Sequence, residues 1–163
     1  MAVLTGAATV LAANQIFNLG FFVNYVMLDS RYMYLITGTM LSMVFITFPA
    51  THKSINHVPW YDIAIIAVIA AVFGYYAFYA ERIVLEAWEY AAPQVGIWLA
   101  LVTWVIVLEA GRRAGGWTIF MIVTVLSLYP MYSDRMPDVI AGIGMPVQDV
   151  AIFHILGEES LFG

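Results

Sequence analysis

The chain has 163 residues, of which 63% are hydrophobic and only 10% charged. Average globular chains carry about 25% charged residues, so this one, with a mean hydropathy of +0.89, is excluded from the soluble folds. Its formal charge of −5 is the wrong sign for gripping nucleic-acid phosphates, and the absence of cysteine removes disulfides, thiolate metal sites, iron–sulfur clusters and Cys nucleophiles.

In chain order, the first apolar stretch, Val10 to Leu28, holds Asn14, Gln15, Asn18 and Asn24. Asn14, Gln15 and Asn18 polarise one helical face, which fits an interfacial helix. A further span with its amides turned to other helices fits equally. A cleaved signal peptide fits less well, because no Lys or Arg precedes Arg31. Tyr32 to Ala50, Trp60 to Ala80 and Gln94 to Ala110 then read as membrane-spanning helices. Their lengths at about 1.5 Å per residue match a hydrocarbon core of about 30 Å. A fourth span is predicted from Trp117 to about Ser133. The connections Thr51 to Pro59, Glu81 to Pro93 and Gly111 to Gly116 are short, so consecutive helices lie side by side and antiparallel.

Beyond Ser133 the stretch is polar and turn-rich, with Asp134, Arg135, Pro137, Asp138, Gly142 and Gly144. Pro146 suits a helix start and Gly157 a stop, which predicts a short helix over Val147 to Leu156. The last residues, Glu158 to Gly163, read as a lead into further structure. The expected architecture is an all-α integral membrane protein. Residues 1–31 form an amide-rich N-terminal helix, interfacial or a fifth span; residues 32–134 form a bundle of four transmembrane helices; residues 135–163 form an external linker and short helix.

Lys53, Arg112 and Arg113 fall on one side of this bundle, and Arg31, Arg82 and Arg135 on the other. The adjacent Arg112 and Arg113, in a very short loop beside two span ends, place their side in the cytoplasm. Trp60 and Tyr61 open one span and Tyr75, Tyr76 and Tyr79 close it, as an interfacial aromatic belt does.

Glu109 precedes Arg112 and Arg113 by three and four positions, so both guanidinium groups reach its carboxylate along a helix, and Asp62 begins a neighbouring span on the same side. An ion or proton relay is the functional alternative. The boundary position favours a cytoplasmic charge clamp that fixes helix ends. Glu81, Arg82, Glu86 and Glu89 fit one outside helix, either a solvated face or, at Glu81, Glu86 and Glu89, an external partner contact. His52 and His57 lie in a loop and His154 in the tail, so no pair lies mid-span to ligate haem. No zincin spacing, phosphate loop or nucleophile elbow occurs, and neither a cofactor nor a metal site is expected. Gly38 and Ser42 form a small-xxx-small pair inside a span.

On these residues the chain resembles the small membrane part of the tripartite ATP-independent periplasmic (TRAP) transporters, and among them the TAXI-type fused permeases. The resemblance rests on Arg31 before an aromatic-rich span ending at Pro49, on Val58-Pro59-Trp60-Tyr61-Asp62, and on Leu108-Glu109-Ala110-Gly111-Arg112-Arg113 with Gly116-Trp117. Tyr129, Pro137 and Glu159-Ser160-Leu161-Phe162-Gly163 complete it. It covers roughly residues 31 to 163. Tyr34 stands where the family tends to have His, and Ser160 where it usually has Gly.

The resemblance implies a non-enzymatic scaffold of a secondary transporter in the bacterial inner membrane, taking solute from a periplasmic binding protein. Sodium coupling and the substrate site belong to a large permease part, reached through Glu159, Phe162 and Gly163. Rival readings are a membrane anchor subunit of a respiratory or photosynthetic complex, and a small channel self-associated through Gly38 and Ser42.

Overall fold

The computed structural model describes residues 2–17, 28–49 and 59–157. Among them the regular structure is entirely helical, in two compact units that meet in sequence between Leu85 and Glu86. Two helical elements, Trp60–Leu85 and the longer one beginning at Gln94, are long and apolar enough to cross a membrane.

The first unit contains α1 (Ala2–Phe17), α2 (Asp29–Thr47) and α3 (Trp60–Leu85). α1 begins eight residues before the expected start at Val10, because Ala2 to Ala8 is rich in good helix formers and holds no breaker stronger than Gly6. The far half of the amide-rich stretch, with Asn18 and Asn24, lies outside the described residues, as do His52, Lys53 and His57 in the first connection.

α2 and α3 meet along stripes of period 3.5. Tyr34, Gly38, Leu41 and Phe45 are buried on α2, and Asp62, Ile69, Phe73, Tyr76, Ala80 and Ile83 on α3. Such spacing keeps one face of each helix on the other over many turns. The contacts run antiparallel: Arg31 Nε donates to the Ala77 carbonyl at 2.9 Å, Tyr34 lies 5.4 Å from Tyr76 between ring centroids, and Gly38 faces Phe73. A Cβ on Gly38 would sit 2.8 Å from Phe73 Cβ, so the close approach requires glycine there. α3 continues five residues past the expected end at Ala80, since nothing from Glu81 to Leu85 breaks a helix.

The second unit begins with a turn in which Ala87 adopts a left-handed conformation (φ 47°), followed by α4 (Trp88–Ala91) and α5 (Gln94–Leu128). Two 3₁₀ turns, Tyr129–Met131 and Ser133–Arg135, lead to α6 (Val147–Leu156).

α5 is two helical arms joined at Gly116 rather than one straight helix. Gly116 has φ 76° and ψ −177°, a region only glycine enters readily. Residues 23 apart, which a straight helix would hold about 34 Å apart, are joined by a hydrogen bond from Trp104 to Ser127. The arms 94–115 and 117–128 therefore form an antiparallel hairpin closed at Gly115 and Gly116. The expected loop Gly111 to Gly116 is instead helix up to its last residue. The second arm also ends sooner than expected, at Leu128, where Pro130 imposes the 3₁₀ turn.

α6 starts directly after Pro146 and stops at Gly157. Val150, Ala151, Ile152, Ile155 and Leu156 are buried, and it packs on α5 and α4. The backbone N–H of Met145 bonds the Pro130 carbonyl at 3.0 Å, and His154 reaches Ser127, so α6 runs back beside the second arm toward the closed end.

Candidate functional site

The α5 hairpin carries two polar clusters. The first is at its closed end. Arg112 Nε donates to Glu109 Oε2 at 2.7 Å and an Arg112 terminal nitrogen to Oε1 at 2.6 Å, while Arg113 Nε donates to Oε1 at 2.8 Å. One helical turn places all three, because positions i, i+3 and i+4 share a face. The fork of Arg112 matches both carboxylate oxygens, the geometry that makes such pairs strong and directional. Arg113 is the more enclosed cation, its side chain 5% exposed against 27% for Arg112. The guanidinium of Arg112 also lies 5.3 Å from the ring centre of Trp117, on the other arm, so a cation–π contact ties the arms across the turn.

The remaining sequence-predicted residues are distributed otherwise. Asp62 is fully buried in the first turn of α3 and belongs to the first unit, whereas Glu109, Arg112 and Arg113 belong to the second. Glu81 is exposed near the end of α3. Glu86 lies in the turn and accepts from Trp88 Nε1 at 2.8 Å, and Glu89 is in α4. The single outside helix expected for Glu81, Arg82, Glu86 and Glu89 is thus divided at Glu86 and Ala87, where the left-handed residue stops α3 from continuing. Glu159, Phe162 and Gly163 lie outside the described residues.

The second polar group lies part-way along the hairpin. Trp104 Nε1 donates to Ser127 Oγ at 2.6 Å, and His154 Nε2 lies 2.9 Å from the Ser127 carbonyl. A carbonyl only accepts, so His154 carries its proton on Nε2. The Trp104 and His154 rings are 6.2 Å apart. With Val107, Leu108, Val123 and Leu126 they line an apolar cavity of about 380 Å³. The two hydrogen bonds fasten α6 and both arms at one point. Sequence reasoning missed this cluster. The signal that marks it is the Gly115-Gly116 doublet inside an apolar run: a reversal there sets Trp104 opposite Ser127.

Among the described residues no group of three or more His, Asp or Glu side chains is placed to hold a metal ion. No protein-family model, curated protein or solved structure matches the chain.

Proposed function

We propose that the chain is the small membrane component of a TRAP-type solute uptake transporter, a multi-pass scaffold in the bacterial inner membrane. It supports a large, ion-coupled permease part that receives solute from a periplasmic binding protein. In this reading α2, α3 and the two arms of α5 are the four spans, and the turn at Gly115 and Gly116 faces the cytoplasm with its two arginines.

One observation carries the reading. All three ionisable side chains among the 35 residues of α5 sit at its closed end and satisfy one another, leaving both arms uncharged. Intramembrane charges mark ion pathways, and transporter ion sites use broken backbone near the bilayer midplane. This hairpin breaks only at its tip, where charge belongs at a boundary. It suits a fixed support and not a conduit. Asp62 is assigned to the same cytoplasmic boundary, and Glu81, Glu86 and Glu89 to contacts outside.

The outer faces agree with this assignment. Only 33% of the apolar window of α3 and 28% of that in α5 is buried within the chain, and Trp98, Val105, Ile122 and Leu126 are among the exposed side chains. Lipid and a partner's helices would cover them.

Extraction of the native protein in mild detergent, with mass and visible absorbance read on one sample, tests the proposal. A colourless species joined to a large multispan permease is expected. A coloured complex would favour an anchor subunit of a respiratory or photosynthetic enzyme. A small oligomer of this chain alone would favour a channel, and either result overturns the proposal.

A further inference from the structure

The second arm of the hairpin is too short to cross a membrane alone. From the Trp104–Ser127 pairing, Met131 lies level with Ala100, and Gln94 begins the first arm six residues further on. At about 1.5 Å per residue even the 3₁₀ turn that follows the second arm's helix stops about 9 Å short of the first arm's end. The chain there does not continue as a helix. It forms an ordered loop, residues 137–146, before α6 returns beside the hairpin.

This loop is unusual in what it turns outward. Val139 is 96% exposed and Ile143 85%, with Ile140, Met145 and Val147 also exposed. It is nevertheless held firmly from within. The Tyr129 hydroxyl donates to the Ile140 carbonyl, and Ile140 N–H bonds the Pro137 carbonyl at 2.8 Å. Buried Ser133 accepts from the Gly142 N–H through its carbonyl at 3.0 Å and donates through Oγ to the Ile143 carbonyl. Gly144 and Gly142 let the strand of chain pass close to Asp134 and Ser133, since a Cβ at either would meet those side chains at 3.0 Å. Pro137 and Pro146, at its ends, have no N–H to satisfy. Irregular backbone at membrane depth requires this kind of internal satisfaction.

Its position points to the occupant. Tyr129 and Tyr132, with ring centres 5.7 Å apart, stand at the foot of the loop, and tyrosines gather where hydrocarbon meets headgroups. Tyr129 bonds directly to the loop's own backbone, so Ile140 lies at the depth of that hydroxyl. Exposed apolar side chains are found on the second arm as well, at Leu126 and Ile122.

We propose that residues 139–145 form a lipid-immersed cap, which completes the short fourth crossing by lodging Val139, Ile140 and Ile143 in the outer boundary of the bilayer. The inference rests on the membrane reading of α5 given above and assigns the loop a surface of its own.

Because the native chain has no cysteine, single cysteines introduced into the full chain report position directly. Val139→Cys, Ile143→Cys, Asp138→Cys and Val105→Cys would be spin-labelled in phosphatidylethanolamine/phosphatidylglycerol vesicles, and collisions with oxygen and with a water-soluble nickel chelate compared. At 139 and 143 oxygen should dominate, with nickel collisions several-fold below those at 138. Labels at 139 and 143 that meet nickel freely, while 105 meets oxygen, overturn the cap and leave the membrane reading intact. Labels there sheltered from both reagents mean that protein, not lipid, covers the loop, which also overturns it. Nickel access at 105 overturns the membrane reading itself.

Discussion

Trp104 and Ser127 are 23 positions apart on two helical arms that meet at Gly116, and the indole N–H lies 2.6 Å from the serine hydroxyl. That bond fixes the register of the α5 hairpin, and the serine's carbonyl extends the link to His154 on α6. A hydrogen bond between helices in an apolar surrounding is worth about 0.6–2 kcal/mol. Trp104→Phe and Ser127→Ala should each lower the unfolding temperature in detergent. The double variant should lose less than the sum, by a coupling of about 1 kcal/mol. Strict additivity would show that the pair contributes no linkage.

The tip of the hairpin permits a sharper comparison, because three nearby glycines differ in what surrounds them. Gly116 has a backbone conformation that costs other residues about 1–3 kcal/mol. A Cβ on Gly115 would meet Ile119 Cδ1 at 2.7 Å and Cβ at 2.9 Å. Gly111 has nothing within 4 Å of the corresponding position. Thermal unfolding should therefore find Gly116→Ala and Gly115→Ala destabilised, and Gly111→Ala unchanged or stabilised by up to about 1 kcal/mol through helix propensity.

These glycines also measure what the sequence could and could not convey. The start of α3 at Trp60 and both ends of α6 were legible, since Pro59, Pro146 and Gly157 are local punctuation. The helix over 111–115 was not, because Glu109, Arg112 and Arg113 suggest a polar loop when taken as composition, whereas their i, i+3 and i+4 spacing lets them neutralise one another on a helix. The extension of α3 to Leu85 was missed for a similar reason: charged Glu81 and Arg82 mark a boundary with water without ending the helix. Of the candidate site, the ion cluster was readable from spacing. The Trp104, Ser127 and His154 cluster was not, for it depends on a reversal whose position is set by one glycine and on a return over 27 residues.

In the first unit α2 and α3 approach closely where Gly38 faces Phe73. The nearest atom to an added methyl would be Phe73 Cβ, at 2.8 Å, ahead of any ring carbon. Gly38→Ala should therefore destabilise the α2 and α3 pair by about 1–3 kcal/mol. Shortening the opposite side chain with Phe73→Leu should fail to rescue it, because leucine keeps the Cβ. Ser42, whose hydroxyl donates back to the Gly38 carbonyl at 2.8 Å, makes a local bond that its helix does not need, and Ser42→Ala should be nearly silent. Rescue of Gly38→Ala by Phe73→Leu, read by unfolding in detergent, would show that the helices separate more readily than their geometry indicates.

Glu109 is the hub of the charged tip, since both guanidinium groups converge on its carboxylate. Removing it leaves two adjacent cations facing one another, the more enclosed of them Arg113, and leaving a charge without its partner costs more than the pair contributes when intact. On the scaffold role proposed above, Glu109→Ala should reduce the amount of assembled complex several-fold, whereas apparent sodium affinity of the fraction that assembles should stay near that of the parent. Arg112→Lys keeps the charge but loses the two-pronged contact and the flat group stacked by Trp117, so it should fall between parent and Glu109→Ala. Assembly is measured by co-purification with the proposed permease partner, and affinity by any sodium-dependent uptake in vesicles matched for assembled protein. Normal assembly with a large change in sodium affinity would move Glu109 from the framework to the ion pathway, and the scaffold role would fall with it.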